Sequence, residues 1–151
     1  MANTTFQGVV RSYGGGSKGT HVPGVMVQSV QISFDPTASS AADVRIGTSA
    51  SSGETLTLPA GAIIMSIMTV NAATGGTNPT VDIGTSADTD GLFNEVPVDV
   101  VGEITGANGA LAVAGGLAAD ATVQGKVGAS AASSGTFTGI LTYAMANDGI
   151  E

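Results

Sequence analysis

The sequence predicts an all-β fold, an antiparallel sandwich or barrel, on three observations. Short apolar runs alternate with polar residues, clusters of Gly, Ser, Asn and Asp separate these runs at close intervals, and no stretch carries the caps and period of an amphipathic helix. At 151 residues and 14.6 kDa the chain fits one domain with a single core. With no Trp and six Phe and Tyr in total, that core is expected to be built mostly of Val, Ile, Leu, Met and Ala.

Residues 1–23 are expected to form a flexible N-terminal arm and 24–151 the β domain. "YGGGSKGTH" lacks the spacing of a phosphate-binding loop and does not sit between strand and helix, so it reads as a hinge. Phe6, Val9, Val10 and Tyr13 are the apolar points of the arm, which could lie across a partner as an added strand. Val30, Ile32 and Phe34 then alternate with Gln31, Ser33 and Asp35. Val25 and Val27 have the opposite parity, which predicts a bulge near Gln28 and Ser29. Leu56 and Leu58 alternate with Thr55 and Thr57.

The run Ala60 to Val70 is too short to cross a bilayer as a helix, for which roughly 20 residues are needed, and it contains Ser66 and Thr69. It is β-branched, preceded by Pro-Ala-Gly and followed by Asn-Ala-Ala-Thr-Gly-Gly, which favours a strand. On that reading Ile63, Met65 and Ile67 face one side and Ile64, Met68 and Val70 the other, so both faces are dry: one meets the core, the other a sister subunit. Val96, Val98 and Val100 alternate with Pro97 and Asp99, and the proline marks an edge or a strand start. "ALAVAGGLAADA" reads as loop or short strand, because its paired glycines interrupt a helix. Phe137, Leu141 and Tyr143 share a face opposite Thr136, Thr138 and Thr142.

Three segments resemble one another: "RIGTSASSG", "DIGTSADTDG" and "KVGASAASSG". Each reads as a strand ending at a glycine (Gly47, Gly84, Gly128), then a turn whose last glycine (Gly53, Gly91, Gly135) takes positive φ. Their unequal spacing argues against a solenoid.

Composition excludes several functions. Charged residues are 11% of the chain, against roughly a quarter in an ordinary soluble domain, which suggests that sister subunits cover part of the surface. The net charge is −8, and Arg11, Lys18, Arg45 and Lys126 are scattered, so neither nucleic acid nor a membrane surface is an expected partner. Cys is absent, which removes disulfides and thiolate metal sites. No secretory signal is visible at the N-terminus.

Chemistry has little to work with, and no enzyme activity, cofactor or metal is expected. Asp88 and Asp90 in "ADTDGLFNE" could offer oxygen ligands to Ca²⁺, but the spacing and flanking helices of an EF-hand are missing, and a solvated turn is the plainer reading. His21, the single histidine, has no acid or nucleophile at a recognisable spacing.

"LPAGAIIMSIMTVNAATGG" followed by "PTVDIGTSADTDGLF", with the closing "SGTFTGILTYA", resembles the small β-sandwich virion proteins of tailed bacteriophages that decorate or cement capsids or form head fibres. The resemblance covers Leu56 to Phe93 and the last strand near Tyr143. It implies a jelly-roll-like antiparallel sandwich over residues 24–151, made in the host cytoplasm and carried on the virion. It also implies a homotrimer seated on the shell of the major capsid protein. The residues read above as apolar points of the arm and of the doubly apolar strand, Phe6, Tyr13, Met65 and Met68, are the candidate subunit or capsid contacts. Two rival functions are a virion fibre module that binds a receptor or carbohydrate, which would need exposed aromatics or polar clamps, and a small β-sandwich hydrolase built around His21.

Overall fold

The computed structural model describes residues 25–113 and 115–146. The arm, with Phe6, Tyr13 and His21, lies outside the described residues, so its expected boundary at residue 23 is not addressed by them.

The described chain forms an antiparallel β-sandwich. Eleven strands and one short helix run in the order β1 (Val25–Phe34), β2 (Ala42–Asp43), β3 (Arg45–Ile46), β4 (Thr57–Leu58), β5 (Ala62–Asn71), β6 (Thr80–Gly84), β7 (Phe93–Pro97), β8 (Ile104–Gly106), α1 (Ala110–Val113), β9 (Ala121–Thr122), β10 (Gln124–Val127) and β11 (Phe137–Ala146). One sheet has five strands in the order β3-β1-β11-β5-β8, the other four in the order β2-β10-β6-β7, and β4 pairs with β9 at the side.

The alternation read in the sequence explains the core. Ile32 and Phe34 of β1, Ile64 and Ile67 of β5, and Phe137 and Leu141 of β11 point inward from the first sheet. They meet Val81 and Ile83 of β6, Phe93 and Val96 of β7, and Val98 beyond it; all are buried. Leu56 and Leu58 join them, as their alternation with Thr55 and Thr57 predicts. Gly125 of β10 sets how closely the sheets approach: a Cβ there would lie 2.7 Å from the ring of Phe34, so the absent side chain makes room for the ring. A hydrogen bond ties the layers together where Thr69 turns inward, its Oγ1 donating to the Pro97 carbonyl at 3.0 Å. The one buried hydroxyl among the described residues without a partner is Ser33 Oγ, which faces the other way, out of the five-stranded sheet.

Three sequence readings need correction. β1 carries no bulge near Gln28, because it pairs with β11 residue for residue from Val25↔Ala146 to Phe34↔Phe137. Val27 breaks the apolar parity because the outward face is itself apolar. The irregularities sit in β5 instead, where register shifts against β11 fall between Thr138 and Gly139 and between Thr142 and Tyr143. Met65 is the extra residue of the second shift, so Ile64 and Ile67 both point inward and the expected grouping of Ile63, Met65 and Ile67 is broken. Finally, "ALAV" of the ambiguous run forms one helical turn, α1, where Gly109 and Gly91 pack backbone to backbone without side chains between them.

The three similar segments do end strands alike, at Ile46, Gly84 and Val127. Their closing glycines differ. Gly53 and Gly135 take φ of 127° and 96°, whereas Gly91 is buried without positive φ, and a Cβ there would press on Leu111 of α1 at 2.7 Å. In the middle segment the glycine is kept for close approach rather than for turning.

Candidate functional site

The outward face of the five-stranded sheet is the region that the sequence marked as a contact. Cross-strand register places its side chains in rows: Val27, Ala144 and Ile63; then Ser29, Thr142, Ser66 and Gly106; then Gln31, Ile140, Met68 and Ile104. Val27 is 56% exposed, Ile104 65% and Ile63 37%. No position of β1 from Val27 to Ser33, of β5 from Ile63 to Val70, of β8 or of β11 from Thr138 to Ala144 carries a charge.

Met65 and Met68 both belong to this face. Met65, placed outward by the bulge, is 46% exposed beside Ile63, and Met68 lies half-buried between Ile140 and Ile104. Flexible thioethers suit a face that must adapt to another surface. The sequence indicated that β5 is apolar on both sides but missed the bulge, which is what brings Met65 out while keeping Ile64 and Ile67 in. It also missed Val27 and Ile104, whose exposure depends on which strands become their neighbours.

The outward face of the four-stranded sheet is polar. Asp82 lies across from Lys126, and Asp43 accepts from Gln124 Nε2 at 3.1 Å. β7 forms the edge of this sheet, as its proline predicts, although Pro97 ends the strand rather than starting it. A register shift leaves one extra residue in β7, and Glu95 adopts φ of 56° there, its N–H donating to Asp82 Oδ1 at 2.9 Å. Asn108 closes the free side of β7: its Oδ1 accepts from Asn94 N–H at 2.8 Å and its Nδ2 donates to the Asn94 carbonyl at 3.2 Å. Asp82, on the outward face of β6, thus also holds the bulge in place.

Asp88 and Asp90 lie in the tight turn after β6, where Asp88 N–H donates to the Thr85 carbonyl at 3.2 Å. A side-chain hydrogen bond with Asp90, some desolvation and the neighbouring negative charge hold the Asp88 carboxyl above its ordinary value. Among the described residues no group of three His, Cys, Asp or Glu side chains is placed to hold a metal ion. A groove of about 380 Å³ beside β9 is lined by Thr85, Leu111, Leu117, Asp120, Thr122 and Gln124 among others, with no aromatic ring to stack on a sugar.

No family profile matches the chain, and no curated protein sequence matches it. Among solved structures it is similar to a chain of the cyanophage Pam1 capsid asymmetric unit, at 18% identity and a TM-score of 0.50, over 95% of this chain and 98% of that one. A chain of the Ralstonia phage GP4 capsid is similar at 20% identity and a TM-score of 0.48, over 85% of this chain and 86% of that one. At that level of identity the likeness to the Pam1 chain shows a shared fold, extending over nearly the whole of both chains.

Proposed function

We propose that this chain is a structural virion protein that decorates a phage capsid and cements it, binding the assembled shell of the major capsid protein and associating with sister copies as a trimer. The observation that carries the reading is the outward face of the five-stranded sheet, rich in exposed aliphatic side chains and uncharged over β1, β11, β5 and β8, with Arg45 at the β3 edge, on a chain whose fold is shared nearly end to end with a capsid chain. Copies with a net charge of −8 repel one another wherever carboxylates meet, and this face brings none to the contact. Contiguous exposed apolar surface of this kind marks an interaction site.

Cementing follows from mass action. A protein that binds the assembled lattice better than its separate subunits lowers the free energy of the shell, and a modest gain per contact is multiplied over a symmetric surface. On this reading Met65 and Met68 meet a sister copy, Phe6 and Tyr13 supply anchoring points from the arm, and the protein works on the capsid surface after synthesis in the host cytoplasm. No catalytic role is assigned to His21 or to the Asp88–Asp90 pair.

Titration of the purified protein onto undecorated shells tests the reading. Saturable binding to assembled shells and not to free capsid subunits, with a higher melting temperature for the decorated shell, is the expected result. Absence of binding to shells, with binding to host cells or to glycans, would replace decoration by the fibre reading.

A further inference from the structure

We infer that the free edge of β1 receives residues from the N-terminal arm of a second copy of this chain as an added strand. β1 is ten residues long, yet β3 pairs only with its last part, Ile32↔Ile46 and Ser33↔Arg45. From Val25 to Val30 no described strand lies on that side. β5, the long strand on the other side of β11, is treated differently: β8 covers Ser66 to Met68, Ala107 N–H donates to the Met65 carbonyl at 2.9 Å, and Leu117 N–H donates to the Ala62 carbonyl at 3.0 Å. The edge of β7 is closed by its bulge and by Asn108. The β1 edge has none of the usual protections, neither a charge, a proline nor a bulge, over its exposed length.

The groups on offer can be named. Gly47 N–H donates to the Gln31 carbonyl at 2.8 Å, so Gln31 directs its backbone groups to the β3 side. Strand residues alternate, so Val25, Val27 and Ser29 direct theirs to the same open side, while Gln28 and Val30 turn theirs to β11. An extended segment could satisfy all three, beside a row that begins with Val27 on the apolar face.

Charge and chain path identify the occupant. Residues 25–146 hold ten Asp and Glu against Arg45 and Lys126, whereas residues 1–24 hold Arg11 and Lys18 and no carboxylate. The arm is thus the cationic part of an acidic chain, and "TTFQGVVRSY" is rich in strand-forming residues. A tight return onto its own β1 would put Pro23 and Gly24 at the centre of a two-residue hairpin turn. The favoured turns of that length need positive φ at the first central position, and proline is held near about −65°. Return of the strand-forming stretch 4–13 itself would need residues 14–24 as an eleven-residue loop, longer than the usual hairpin connection. Donation to a neighbour needs neither that turn nor that loop, and a ring closes when each copy gives one arm and accepts one.

The inference rests on the proposed self-association but not on the capsid, so it is tested without shells, on the full chain. The measurements are native mass and amide hydrogen exchange, for the natural sequence and for a variant with Val9→Pro and Val10→Pro, which blocks both strand parities of the arm without touching the described domain. In the natural oligomer, the amides of Val27 and Ser29 are expected to exchange roughly tenfold or more slowly than in the variant, with Gln28 and Val30 unchanged, and the oligomer of the variant dissociates at higher concentration. Free exchange at Val27 and Ser29 in the natural oligomer overturns the inference, and so does protection that survives both prolines. Protection in a species of 14.6 kDa places the arm on its own chain and overturns it too. Failure to bind shells, with this pattern intact, would count against decoration alone.

Discussion

The five-stranded sheet turns Val27, Ile63, Met65, Met68, Ile140 and Ile104 outward, whereas the four-stranded sheet turns out Asp43, Asp82, Gln124 and Lys126. Their inward faces are alike, since both send aliphatic and Phe side chains into one core. The difference outside shows what burial alone does not require: a sandwich needs one apolar face per sheet, and the aliphatic side chains on the second face of the larger sheet are what the proposed contact with another copy uses. The edges follow the same division. The polar sheet closes its β7 edge with a bulge and two asparagines, while no described strand covers the first part of β1.

The contrast is broken most directly by Met65→Glu. In the proposed contact between copies a carboxylate is left without a partner, so the dissociation constant of that self-association is expected to rise by about a hundredfold or more in sedimentation equilibrium. Thermal unfolding of the separated chain should barely change, since Met65 is exposed there. Lys126→Glu on the opposite sheet is the matched control and is expected to leave the native mass as it was. An equal effect from both variants would remove the distinction between the faces.

A smaller effect sharpens the polar side. Asp82→Ala removes the acceptor of the Glu95 N–H and loosens the bulge that guards β7, with an expected loss of about 1 kcal/mol in urea unfolding and more aggregation on heating. The smallest effect concerns Asp88. Its carboxyl is raised above 3.8 by Asp90, so the folded state holds that proton more tightly than the unfolded chain does. The resulting destabilisation is complete above the raised value and is relieved as pH falls through it toward 3.8. Asp90→Asn is therefore expected to raise the melting temperature slightly at pH 7, with the gain vanishing in acid.

Much of this was legible in the sequence wherever one face of a strand was polar. Leu56 and Leu58 against Thr55 and Thr57, or Ile32 and Phe34 against Gln31 and Asp35, gave the inward residues directly. Where both faces are apolar, parity carries no information, which is why Val27 suggested a bulge that β1 lacks and why the actual bulge at Met65 was hidden in an unbroken aliphatic run. The middle corner failed for another reason: a glycine kept for contact and one kept for positive φ look identical until the packing partner, here Leu111, is known. The candidate site was legible as a doubly apolar strand, but its extent across β1, β11 and β8 depends on strand order, which alternation does not specify.

That strand order also sets a schedule for synthesis. β11 lies at the centre of the five-stranded sheet, between β1 and β5, yet it is the last of the three to be made. At roughly 5–20 residues per second a ribosome leaves β5 without its central neighbour for several seconds. The outward side of the sheet therefore has no flat, ordered shape until translation has passed Ala146, and nascent chains crowded on one message cannot meet through a finished face before each has completed its own.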